Sequence, residues 1–143
     1  MILGGRHMGL PVKDMKTSLR FYRDLLGLKV EKDFSERGEF IDAIIGINDL
    51  DLWMVKLTAP DGWMLELLEY KSHPGEPRRN PSIKDVGHAH LALTVDSIEE
   101  EYKRLKDAGV RFISSPQVSP DGYAKVAFCQ DPEGNYVELV EVL

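Results

Sequence analysis

Apolar and polar residues alternate along residues 6–12, the two-residue period of a half-buried strand, and they alternate again from His90 to Val95. Behind each run the period lengthens. Asp14 stands where it can cap a helix whose apolar stripe is Met15, Leu19, Tyr22 and Leu26, and Gly27 stops it. In the second half Ser97 and Glu100 have the spacing of a capping box, Ile98, Tyr102 and Leu105 form the stripe, and Gly109 ends it. Strand patterns follow at about 28–34, 51–57 and 63–70, then at about 110–114, 123–129 and 135–142. Residues 40–47 break the parallel: Phe40, Ile44 and Ile47 fit a short helical turn, so the first half carries an insertion there. The predicted order is βαβββ twice, an α+β chain.

The halves also match residue by residue. His7-Met8-Gly9-Leu10-Pro11-Val12-Lys13-Asp14 reads beside His90-Leu91-Ala92-Leu93-Thr94-Val95-Asp96-Ser97. The run from Pro60 to Glu69 reads beside that from Pro132 to Glu141, with proline, glycine, both glutamates and a leucine in register. Two matched segments in the same order mark an internal repeat. The chain is therefore expected to be a single domain, 1–143, built of a module over 5–70, a linker over 71–86 and a module over 87–142. Three prolines between Lys71 and Ser82, with charge and no periodicity, give the linker its character. Its Arg78-Arg79 pair is read as part of a solvated surface rather than as an anion contact.

Composition narrows the classes. A chain of 143 residues can bury a real core, and 43% hydrophobic with 29% charged residues is ordinary for a soluble protein. The net charge of −6 argues against nucleic acid, which wants a basic excess. One cysteine, Cys129, forms no internal disulfide, which fits a reducing compartment. No apolar run approaches the roughly 18 residues of a membrane span. The start, MILGGRHMGL, lacks the features of a signal peptide. The expectation is a cytoplasmic protein with no membrane partner.

The candidate chemistry lies in the repeat. His7 and His90 hold equivalent places on the first strands; Glu66 and Glu138 hold equivalent places on the last. Alternation puts Glu66 on one face with Met64 and Leu68, where an isolated carboxylate is costly to bury, and sets Glu138 between Tyr136 and Val140. A lone strand histidine is usually structural, and an alternating glutamate usually faces water. Four such residues at repeat-equivalent positions change that balance. Two imidazoles and two carboxylates suit a divalent ion such as zinc, nickel, cobalt or manganese. His88 shares a strand face with His90 and is the secondary candidate, as ligand or as support to one. His73, in the linker, is expected to be idle, and Glu69 and Glu141 to point away and be solvated.

At these residues the sequence resembles the vicinal oxygen chelate superfamily, which includes glyoxalase I, methylmalonyl-CoA epimerase, extradiol dioxygenases and the fosfomycin- and bleomycin-resistance proteins. The resemblance rests on His7-Met8-Gly9-Leu10, on Phe21 to Leu28, on Leu65-Glu66-Leu67, on Gly87 to Leu93 and on Asp131 to Leu139. It implies paired βαβββ modules curled into an open barrel around one divalent metal, usually in a homodimer, with His7, Glu66, His90 and Glu138 as ligands. A complete His-Glu-His-Glu set looks most like glyoxalase I, with the epimerase similar. Four protein ligands leave two positions of an octahedral ion for adjacent oxygens of a small substrate. The implied function is a lyase or isomerase that moves a proton next to a carbonyl through a metal-stabilised enediolate, with Glu138 or Glu66 as the base. Two alternatives stand beside it. One is an extradiol ring-cleaving dioxygenase, which needs iron(II). The other is a non-catalytic, bleomycin-resistance-like protein that holds a planar ligand between aromatic walls, for which Trp53 and Trp63 are available.

Overall fold

The computed structural model describes residues 1–76 and 82–143. The chain divides into two compact units, Met1–Pro77 and Arg78–Leu143. The Arg78-Arg79 pair of the linker lies outside the described residues.

Unit one runs β1 (Met8–Pro11), α1 (Met15–Leu19), β2 (Lys29–Glu36), α2 (Glu39–Ile45), β3 (Leu52–Thr58) and β4 (Met64–Tyr70). The Asp14 side chain caps α1 by accepting from Thr17 N–H at 3.0 Å. Beyond α1 the backbone continues as a π-helical stretch over Arg20–Leu25, which buries Phe21 and Tyr22. Gly27, at φ +75°, takes the left-handed turn that ends it. The sheet order is β1-β4-β3-β2, with β1 parallel to β4 and the other pairs antiparallel.

Because strand side chains alternate, this sheet has two distinct faces. One carries Leu10, Val55, Leu57, Leu65 and Leu67, all buried, and it receives α1. The other carries Lys56, Glu66, Met54 and Leu68, paired across β3 and β4 as Lys56 with Glu66 and Met54 with Leu68. The insertion predicted at 40–47 is the helix α2, and it packs on this second face. Ile41 and Leu50 join Leu52 and Met54 in a buried cluster with Phe34, Ile47, Leu68 and Tyr70. That cluster closes the face up to the Lys56–Glu66 pair.

Unit two runs β5 (His90–Thr94), α3 (Ile98–Asp107), β6 (Arg111–Phe112), β7 (Gln117–Val118), β8 (Ala124–Gln130) and β9 (Tyr136–Val142). Its sheet order is β5-β9-β8-β6, with β7 also pairing β8. The strand expected at 110–114 is the short β6, and β7 at 117–118 is a second short strand that the sequence pattern did not predict. Pro116, which has no N–H to donate to a ladder, stands between them. Ile98 and Leu105 of α3 are fully buried with Val137, Leu139 and Cys129 of the sheet.

Glu69 and Glu141 depart from the solvated role expected of them. They do point away from Glu66 and Glu138, but each is half-buried and bonded to a helix amide rather than left to water alone. Glu69 Oε2 accepts from Met15 N at 2.7 Å, and Glu141 Oε2 accepts from Ile98 N at 2.8 Å. Each glutamate reaches from the last strand of its unit to the first N–H of the helix, a donor that lacks an intrahelical partner. The helix N-terminus also favours a negative charge there.

Candidate functional site

Each unit presents one histidine–glutamate pair, and the strand registers explain both. In unit one Gly9 of β1 lies opposite Glu66 of β4. His7 precedes Gly9 by two residues, so its ring falls on the same face as Glu66. His7 Nε2 stands 3.0 Å from Glu66 Oε2. In unit two Ala92 of β5 lies opposite Glu138 of β9, and His90 again precedes by two. His90 Nε2 stands 3.1 Å from Glu138 Oε2. The parallel first and last strands of each unit thus build the same pair twice.

The surroundings differ. Glu66 is only 8% exposed, and a buried carboxylate requires a compensating partner. Lys56 supplies it, with Nζ 3.2 Å from Glu66 Oε1. At the equivalent register position in unit two, the residue opposite Glu138 is Phe128. His90 packs edge-on against the Phe128 ring at 5.2 Å between centroids. Both pairs keep some access to water, the unit-two pair more so: His90 and Glu138 side chains are 42% and 22% exposed, against 27% and 11% for His7 and Glu66.

Lys56 and Phe128 are the site-face residues that sequence reading missed. Their parity was legible. Lys56 alternates with Leu52 and Met54 along 51–57, an odd place for a lysine unless it has a carboxylate partner. Which carboxylate it meets depends on the β3–β4 register.

Other candidates fall elsewhere. His88 packs edge-on against Tyr136 at 5.3 Å, next to the unit-two pair. His73 is exposed, with Nδ1 2.8 Å from Ser72 Oγ. Trp53 lies opposite Glu69 on the helix-side face, so it does not wall the Glu66 face. Its Nε1 donates to Asp33 Oδ1 at 2.6 Å, and the Lys71 ammonium stands 4.9 Å from its ring. A cavity of about 300 Å³ beside α2 is lined by Arg37, Gly38, Asp42, Asp49, Leu50 and Asp51. Its charges are used locally: Asp42 accepts from the Asp49 and Leu50 amides, and Arg37 pairs with Asp51 at 2.6 Å.

Imidazole nitrogen and carboxylate oxygen are the donors that borderline divalent ions take, so the chemistry of each pair fits a metal. Among the described residues no three His, Cys, Asp or Glu side chains gather at one point. Each unit presents one histidine–glutamate pair of such donors.

Known proteins resemble this one along most of its length. A glyoxalase family protein from Bacillus cereus superposes with a TM-score of 0.90 at 21% identity, covering 100% of this chain and 96% of its own. The trypanothione-dependent glyoxalase I of Leishmania major gives 0.67 at 23% identity, covering 94% and 84%. These two likenesses establish the glyoxalase fold. In sequence, the lactoylglutathione lyase of Neisseria meningitidis serogroup A is 30% identical over 139 residues, 94% of this chain and 88% of its own. A probable lactoylglutathione lyase of Synechocystis is 27% identical over 138 residues, covering 94% and 92%. Residues 6–139 match the Glyoxalase/Bleomycin resistance protein/Dioxygenase superfamily, and the chain belongs to that family.

Proposed function

We propose that the protein is a metal-dependent lyase or isomerase of the glyoxalase type, moving a proton next to a carbonyl of a small substrate with adjacent oxygens. The observation that carries this reading is the twice-built histidine–glutamate pair, at equivalent register positions of both sheets. Similarity to lactoylglutathione lyases supports it. His7, Glu66, His90 and Glu138 hold one divalent ion, zinc, nickel, cobalt or manganese. When bound, such an ion polarises the substrate's carbonyl and stabilises the negative charge left when the proton departs.

The chain's own residues divide the remaining work. Glu66 is held between His7 and Lys56, a setting that fixes a carboxylate in place. Glu138 faces the Phe128 ring where Glu66 faces an ammonium, and Phe128 offers no donor to tie it down. Glu138 is therefore the residue that takes the proton from carbon and returns it.

Two measurements test this. Elemental analysis of reconstituted protein should give about one divalent ion per His7-Glu66-His90-Glu138 set, and His90→Ala should lower its affinity sharply. NMR of a panel of hemithioacetals and 2-substituted malonyl thioesters should show solvent deuterium entering next to the carbonyl, without oxygen uptake. Glu138→Gln should slow that exchange by roughly 10²–10⁴ with metal still bound. Full metal occupancy in His90→Ala, or normal exchange in both Glu138→Gln and Glu66→Gln, would refute the reading. Oxygen consumption with a catechol, lost when iron is removed, would replace it with ring cleavage.

A further inference from the structure

The strand position itself does not demand a lysine at 56, although Glu66 uses its charge. The same register place in unit two holds Phe128, opposite Glu138 as Lys56 is opposite Glu66. An apolar residue is therefore compatible with this strand position. Lys56 is costly besides: its side chain is only 20% exposed, and it sits next to Met54 and Leu68, which belong to the apolar cluster under α2. A second cation lies across from it. The register of β2 and β3 shifts between Val30 and Lys32, and this bulge sets Lys32 opposite Lys56. Like charges directly opposite one another on a sheet face are unfavourable.

We propose that Lys56 recognises the substrate: its ammonium receives a carboxylate carried next to the metal-chelating oxygens, so the natural substrate is a carboxylate-bearing carbonyl compound rather than an uncharged one. This rests on the functional reading above. In the chain alone, Glu66 neutralises Lys56 at 3.2 Å. When the Glu66 carboxylate serves a divalent ion, its charge is shared with that ion. The Lys56 ammonium then stands beside positive charge, with Lys32 adding more from the neighbouring strand. An anionic group on the substrate restores the balance, and an ammonium has three N–H donors to offer it. A neutral substrate would leave the cation uncompensated, so selectivity against it follows from the same contact.

The test uses two chelating probes on metal-loaded full-length protein, read by calorimetry. Oxalate and acetohydroxamate both offer adjacent oxygens, but oxalate carries further negative charge beyond the chelating atoms. Lys56→Gln should weaken oxalate by roughly tenfold or more and change acetohydroxamate by less than about twofold, with metal content unaltered. Lys56→Arg, which keeps the charge, should hold oxalate within about threefold of the parent. Oxalate indifferent to Lys56→Gln, both probes weakened alike, or metal lost from Lys56→Gln would each overturn the assignment. Parent protein that takes up no metal would bring down the functional reading and this one with it. Parent protein that holds metal but ignores the charge at position 56 would bring down this one alone.

Discussion

Cys129 shows how far one side chain's chemistry is set by its neighbours. It is fully buried on β8, and that burial, with the Asp131 charge adding to it, pushes the thiol up to about 12 from an ordinary 9.0. At pH 8 about one molecule in ten thousand would carry the thiolate, the only reactive form. Native protein should therefore resist alkylation for hours at pH 8 and label fully in denaturant; rapid native labelling followed by mass spectrometry would contradict the burial. The same shift has a consequence for stability. The folded value lies above the unfolded one, so the contribution is intact below pH 9 and is lost as pH rises from 9 toward about 12. Denaturation midpoints measured across that range should fall, and Cys129→Ala should flatten the part due to this thiol.

Between elements, the important contacts are the two glutamates that tie a last strand to a helix start. Glu69 and Glu141 follow Glu66 and Glu138 by three residues, so they lie on the opposite face of the same strands. Strands β4 and β9 thus each carry a site carboxylate on one face and a helix-binding carboxylate on the other. Removing Glu69 or Glu141 leaves a part-buried amide without its acceptor. Alanine at either position should cost about 1–2 kcal/mol, and glutamine, which keeps an acceptor oxygen but no charge, should cost less. Urea midpoints at constant slope would measure it. An unchanged midpoint for both alanine variants would mean these contacts do not form in solution.

For the whole molecule, the arrangement of sheet edges leads to a proposal about assembly. The unit-one sheet ends in β1 and β2, and the unit-two sheet ends in β5 and β6. Exposed strand edges invite pairing with another chain, and closed symmetric dimers are the commonest outcome. The protein should run as a homodimer, with light scattering giving twice the mass of one chain at micromolar concentration. A monomer at that concentration would refute it. Separately, none of the helices among the described residues is long and apolar enough to cross a membrane.

The sequence by itself determined the repeat, the α+β class, the helix caps at Asp14 and Ser97, the insertion at 40–47, and which residues share a strand face. All of these rest on local period or on residues within one or two turns of each other, so they are legible without partners. It also placed His7 and His90 at equivalent positions of the first strands, and Glu66 and Glu138 at equivalent positions of the last. Tertiary structure decided whom each side chain meets. The Glu69–Met15 contact spans 54 residues of chain and the Glu141–Ile98 contact spans 43. Parity could say only that both glutamates face away from the site. Lys56 meets Glu66 because of the β3–β4 register, and Lys32 comes opposite Lys56 because of a bulge in β2. A register or a bulge is fixed by how two strands pair, and a single residue's slip reverses the faces. Alternation along one strand therefore named the candidates, and strand pairing set the charge around each of them.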